Sequence, residues 1–211
     1  MHFYKTPALL KSLTKKLYWD IKGGDRDIYL TFDDGPIPGL TEYILDMLDA
    51  YAAKATFFCV GDNVRKYPEI AKNTILRGHR LGNHTFNHVK GWQSSSVAYL
   101  DNIKKCQHYI DLYQPVSEPA IFRPPYGQIT PGQIALLSTE YHIIMWDVLA
   151  YDFEKKHNAQ KSLDKILSKT GPGSIVVFHD NYKAEEKLKY MLPRFLSHFK
   201  EKGFNFKKIG Q

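Results

Sequence analysis

Five short runs along the chain are dominated by apolar, β-branched or aromatic residues, and between them apolar positions recur at helical spacing. Asp27-Ile28-Tyr29-Leu30-Thr31-Phe32 reads as a buried strand that stops at a turn signal. Residues 55–60, 120–122, 143–148 and 174–178 read the same way. Leu40, Tyr43, Ile44, Met47, Leu48 and Tyr51 share one helical face, which predicts an amphipathic helix against the core. Val97, Leu100, Ile103, Ile110 and Tyr113 suggest another, with Ser94-Ser95-Ser96 as candidate caps. Further helices are expected at about 64–77, 131–139, 160–170 and 185–202. Strands alternating with helices over 211 residues, 43% of them hydrophobic, predict one α/β domain with a sizeable core. No repeat, low-complexity stretch or linker marks a second domain.

Polar residues cluster where these strands end. Thr31-Phe32-Asp33-Asp34-Gly35-Pro36 sets two adjacent carboxylates at a strand exit. Unless a cation, an arginine or water relieves their repulsion, one of them should carry a raised pKa; the plainer reading is a turn built on Asp-Gly-Pro. Gly82-Asn83-His84-Thr85-Phe86-Asn87-His88 places two histidines four residues apart. A helical turn would put both imidazoles on one face, although the glycine and asparagine before them point to a loop end. Two imidazoles and one carboxylate form the ligand set of an open zinc site, and the set also suits non-haem iron or cobalt. Arg123-Pro124-Pro125-Tyr126-Gly127 predicts a rigid loop with a guanidinium at its root. Trp146-Asp147, Asp152-Phe153 and His179-Asp180 lie on or just beyond the last two apolar runs. In a parallel barrel all strand C-termini share one rim, so such residues converge.

Five segments in this order, Thr31–Pro36, His84–His88, Arg123–Gly127, Trp146–Phe153 and Val177–Asp180, resemble the motifs of the polysaccharide deacetylases of carbohydrate esterase family four, the NodB-homology domain. The first three match closely and the last two more loosely. The resemblance implies a distorted (β/α) barrel of about seven parallel strands, with residues 1–25 a basic segment packed on a domain at 26–211. It further implies a divalent metal ion, zinc first and cobalt as an option, on Asp34, His84 and His88. Asp33 would be the general base, oriented by Arg123, and His179 the general acid, oriented by Asp152. The backbone N–H of Tyr126 would face the oxyanion, and Pro125, Trp146, Phe153 and Val177 would line the substrate pocket. Phe153 and Val177 stand where the family commonly has tryptophan and leucine, which predicts a somewhat looser acyl pocket. Trp146 is as readily a core residue as a sugar contact. The implied reaction is removal of N-acetyl groups from N-acetylglucosamine-containing glycans, chitin oligomers or peptidoglycan. An O-acetyl xylan, a lipid-linked amino sugar and a degenerate glycan-binding protein stay open as alternatives.

Several groups take plainer readings. His79 lies outside the ligand spacing and is expected to be structural, and the isolated His2, His108, His142, His157 and His198 are expected on surfaces or in satisfied environments. Asp180 is expected to orient a loop. Cys59 and Cys106 form no Cys-x-x-Cys pair and read as free thiols. Leu9, Leu13 and Leu17, with lysines between them, suggest a short amphipathic helix on the barrel or a basic membrane-surface element. A signal peptide's uninterrupted apolar core is missing there, so a cytoplasmic or peripheral location is the default. A formal charge of +7, dispersed along the chain and without a nucleic-acid motif, argues for a glycan partner over a nucleic acid. A monomer is expected, with contact to membrane or cell wall as an option.

Overall fold

The computed structural model describes residues 3–22, 24–114 and 119–210, so His2 lies outside the described residues. The chain runs α1 (Ala8–Leu13), β1 (Leu17–Tyr18), β2 (Asp27–Asp33), α2 (Leu40–Ala50), β3 (Thr56–Cys59), α3 (Gly61–Lys66), α4 (Pro68–Leu76) and β4 (Arg80–Asn83). It continues α5 (Ser96–Asp111), β5 (Ile121–Phe122), α6 (Pro131–Leu137), β6 (His142–Ile144), β7 (Val148–Leu149), α7 (Ala159–Lys169), β8 (Ile175–His179), α8 (Glu185–Glu201) and β9 (Asn205–Lys207). The strands form one curled sheet in the order β1-β6-β5-β4-β3-β2-β8-β7, with β9 on β2. Every ladder between these strands is parallel. This is the distorted (β/α) barrel expected, with nine strands among the described residues where about seven were implied. The additional pairings are short: β1 extends the β6 edge, and β9 joins the first three residues of β2.

Strand alternation sorts the side chains of this sheet into two populations. Ile28, Leu30 and Phe32 of β2, Phe57 of β3, and Val176 and Phe178 of β8 face outward into a core shared with α2 and α8. Tyr29, Phe58, Ile121, Ile144 and Ile175 point inward and pack with Ile209, which closes the N-terminal end of the barrel. The same inward parity carries Thr31 and Asp33 up β2, and Val177 and His179 up β8. The barrel axis thus grades from an apolar plug at Ile209 to polar groups at the C-terminal rim.

Four expectations change. The apolar run 143–148 is two short strands, because the chain leaves β5 and β1 at Ile144 and re-pairs with β8 at Val148. Between them the carbonyls of Trp146 and Asp147 accept hydrogen bonds from Thr6, and the buried Asp147 carboxylate takes Lys11 and Ser174. The helix expected over 64–77 breaks at Tyr67, where Pro68 starts a new one. In α5, Ser95 caps the helix as expected, but Val97 is 73% exposed and the buried stripe is Tyr99, Ile103, Cys106 and Ile110. Finally, no residue of α1 is buried. Leu9 and Leu13 are exposed, and Leu17 belongs to β1. The N-terminal segment is joined to the domain instead through Thr6, Lys11, β1 and the buried Trp19.

Candidate active site

Register sets the site. β2 and β8 are neighbours with Asp33 opposite His179, and β4 and β5 are neighbours with Asn83 opposite Phe122, so His84 and Arg123 exit side by side. Arg123 is fully buried. Its Nη1 donates to Asp33 Oδ1 at 2.6 Å and to Thr31 Oγ1 at 2.7 Å. Its Nη2 and Nε donate to the carbonyls of Met145 and Ile144 at 2.8 and 3.3 Å. Its guanidinium stacks 4.0 Å from the centre of the Phe58 ring. Phe58 can lie there because position 82 is glycine: a Cβ on Gly82 would sit 2.6 Å from that ring. Asp33 is therefore held by a planar cation that is itself fixed on several sides.

Asp34 leaves β2 in the left-handed region, with φ of 88°. That conformation is unfavourable for a residue with a Cβ and persists where neighbours over-determine it. Here the Asp34 N–H donates to the Phe58 carbonyl, and the Asn63 amide donates to the Asp34 carbonyl at 2.8 Å. The carboxylate Oδ1 then lies 3.5 Å from His84 Nε2 and 3.0 Å from His88 Nε2. The two histidines do not share a helical turn. They sit on a loop with φ of 63° at Thr85 and 55° at His88, which folds the second ring back over the first, with centroids 5.0 Å apart. His84 Nδ1 donates to the Arg123 carbonyl at 2.8 Å, which leaves its Nε2 lone pair turned toward Asp34. Burial alone would raise the Asp34 carboxyl; His84, His88 and the nearby His179 outweigh it and hold it well below the usual carboxylate range.

One donor atom each from Asp34, His84 and His88 lie within 4.8 Å of one another. Donors each about 2.0–2.2 Å from a tetrahedral zinc are about 3.3–3.6 Å apart. The 3.5 Å separation of Asp34 from His84 falls in that range, and the 3.0 Å separation from His88 is slightly shorter. A carboxylate and two imidazoles, one of them oriented through the Arg123 carbonyl, thus fit a divalent ion of borderline softness.

On the other side of Asp33, His179 Nδ1 lies 2.8 Å from Asp152 Oδ1, and its backbone N–H donates to Asp152 Oδ2. Burial works against a charged ring, yet the Asp152 carboxylate overrides it and lifts His179 to about 9. Phe153 packs edge-on against the imidazole at 4.7 Å. Asp180, as expected, orients a loop: it accepts from the Gly35 N–H and the Thr41 hydroxyl, both at 2.8 Å. Position 35 must be glycine, since a Cβ would fall 1.8 Å from Asp180 Oδ2.

These groups open into a cleft of about 670 Å³ that includes Asp33, Asp34, His84, His88 and His179 in its lining. Trp146, Phe153, Val177 and Tyr126 line it too, and Trp146 both walls the cleft and packs, half-buried, on the core around Trp19. Tyr126 has φ of 60° and an exposed ring that packs on His88 at 4.8 Å. Pro125 is buried and outside the lining, where Pro124 stands instead. His79 stays apart, its Nδ1 accepting from the Ala55 N–H at the far end of β4, with burial pulling its pKa down to about 4. Both cysteines are free and buried. Sequence reasoning missed Asn63, Tyr67, Leu149, Asn181 and Tyr182 of the lining. Asn181 had a signal, as the residue following His179-Asp180, and so did Leu149, inside the Trp146–Phe153 segment.

A family model described as Polysaccharide deacetylase matches residues 20–139. The chain belongs to the polysaccharide deacetylase family. It is 29% identical over 198 residues to a peptidoglycan-N-acetylglucosamine deacetylase of Bacillus cereus, covering 92% of this chain and 91% of that one. It is 30% identical over 174 residues to a chitooligosaccharide deacetylase of Bradyrhizobium, covering 82% and 78%. Other curated relatives are longer, the chain spanning 55% of one and 32% of another. Among solved structures, it superposes with a TM-score of 0.87 and 28% identity on a peptidoglycan N-acetylglucosamine deacetylase in complex with 4-naphthalen-1-yl-N-oxidanyl-benzamide, covering 95% and 94%. The family thus accounts for the barrel and for relatives that act on glycan N-acetyl groups.

Proposed function

We propose that this polysaccharide deacetylase is a metal-dependent hydrolase that removes N-acetyl groups from N-acetylglucosamine-containing glycans and releases acetate. The observation that carries this reading is the juxtaposition at one rim of three metal-type donors, a carboxylate pinned by Arg123 and an imidazole pinned by Asp152. Asp34, His84 and His88 would hold a divalent ion, most naturally zinc, which when bound would polarise the acetyl carbonyl and acidify water. Asp33 accepts the proton of the attacking water, and Arg123 aims that carboxylate. The new C–O bond gives a tetrahedral centre whose oxyanion faces the backbone N–H of Tyr126. His179 gives its proton to the amide nitrogen as the C–N bond breaks, leaving free amine and acetate. Val177, Phe153 and Trp146 exclude bulk water from the acetyl methyl.

The decisive experiment measures acetate release in parallel from N-acetylglucosamine oligomers, peptidoglycan and acetylated xylan, with and without a chelator. We expect release from the N-acetylated glycans, loss with chelator, recovery with zinc or cobalt, and no turnover by Asp33→Asn. Release from xylan alone would move the assignment to an O-acetyl esterase. Full activity in Asp33→Asn or in chelator would overturn the mechanism.

A further inference from the structure

The loop that follows β8 reaches the metal-type donors directly. β2 and β8 pair with Asp33 opposite His179, so the residues that leave the two strands face each other in turn. The Asp180 N–H donates to the Asp33 carbonyl, and Asp180 Oδ1 takes the Gly35 N–H. The next residue, Asn181, is bound at both ends of its amide. Its Oδ1 accepts from the N–H groups of Lys183 and Ala184, each at 3.0 Å, at the start of α8. That fixes the amide orientation: oxygen toward the helix and nitrogen toward the cleft. Its Nδ2 donates to Asp34 Oδ2 at 2.6 Å, the oxygen that does not face the histidines.

We infer that Asn181 is a positioning residue that occupies one oxygen of Asp34 and presents the other, Oδ1, as the single donor beside His84 and His88. Without that bond, the Asp34 carboxylate can rotate about its terminal torsion, which is broad and roughly two-fold for aspartate. The helix-bound half of the amide removes that freedom. Hydrogen bonds to metal-ligating carboxylates of this kind are worth about 10–100-fold in metal affinity.

The inference rests on the proposed metal site, and the test keeps the two apart. Zinc affinity is measured by calorimetry on the metal-free protein, alongside the visible spectrum of the cobalt-loaded form and the unfolding temperature without metal. Three proteins are compared: the parent, Asn181→Ser and Asn181→Ala. Serine keeps an oxygen that can accept from the Ala184 N–H but is too short to reach Asp34; alanine loses both contacts. We expect both variants to bind zinc about 10–100-fold more weakly and to shift the cobalt bands. The alanine variant should lose more metal-free stability than the serine variant, which keeps the contact to α8. Parent-like affinity and spectrum in Asn181→Ser would overturn the positioning role while leaving the metal site standing. A parent that binds neither ion would remove both.

Discussion

Arg123 binds Asp33, Thr31 and two carbonyls from a position without solvent contact. Removing one partner of a buried ion pair strands the other charge, at a cost of roughly 3–5 kcal/mol. Arg123→Met should therefore shift the urea midpoint by that order, far beyond the loss of packing. Arg123→Lys should recover only part of it, because an ammonium cannot reproduce the planar fork that divides its donors between Asp33 and the carbonyls. At His179 the quantity to follow is pH. Its folded pKa of about 9 exceeds the ordinary value of 6.5, so the stability gained from pairing with Asp152 is fully present below about 6.5 and is lost as pH rises through about 9. As a general acid it should also give the activity profile a falling limb near that upper value. Asp152→Asn removes the largest raising charge and leaves burial, which lowers, opposed only by Asp34 and Asp33. The His179 titration followed by NMR should then drop below about 9, and the falling limb should move with it. A titration unmoved by Asp152→Asn would separate the imidazole from the carboxylate.

At the scale of elements, β4 shows how little of a strand's role lies in its hydrophobicity. Arg80-Leu81-Gly82-Asn83 has no apolar run, and its inward position at Gly82 is empty so that Phe58 can lie under Arg123. Gly82→Ala places a methyl 2.6 Å from that ring and should cost about 1–3 kcal/mol by overpacking, read as a lower denaturant midpoint. Activity should fall further than stability, since the displaced ring supports the guanidinium that aims Asp33. By contrast, Leu9→Ser and Leu13→Ser in α1 should each stay within about 0.5 kcal/mol, because that helix buries nothing. The legible elements were those whose pattern and environment agree: β2, β3 and β8 as apolar runs, α2 and α8 as periodic ones. β4 was not legible, because its inward side chains are an arginine bound to the Ile209 and Pro119 carbonyls and a glycine. The histidine pair was legible as two metal-type donors near a loop end, but its left-handed turns were not, because the positive φ values at Thr85 and His88 come from backbone contacts no spacing encodes. The break inside 143–148 was hidden for a related reason. An apolar run records burial, and here burial continues while the pairing partner changes.

At the scale of the whole molecule, the candidate ligands come from the exits of β2 and β4, two strands separated in the sheet by β3. An ion held by all three would tie those exits together in the folded state and find no such site in the unfolded chain. Binding to the native state alone stabilises by RT ln(1 + [M]/Kd), about 2.7 kcal/mol at a hundredfold excess over Kd. For a chain of this size each kcal/mol moves the unfolding temperature by roughly 2–4 °C. Zinc at that excess should therefore raise the melting temperature of chelator-treated protein by roughly 5–11 °C. The alternative is that the Asp34 carboxylate and the two imidazoles are only a hydrogen-bonded cluster supporting the rim. Such a cluster would need no ion, so chelator and zinc would leave the melting temperature where it was. His84→Ala distinguishes them further, since it removes a ligand while leaving the His88 contact at 3.0 Å. If the site is a metal centre, the variant loses the zinc-dependent increment and retains most of the metal-free stability. If it is a structural cluster, parent and variant differ by the same amount with zinc and without it.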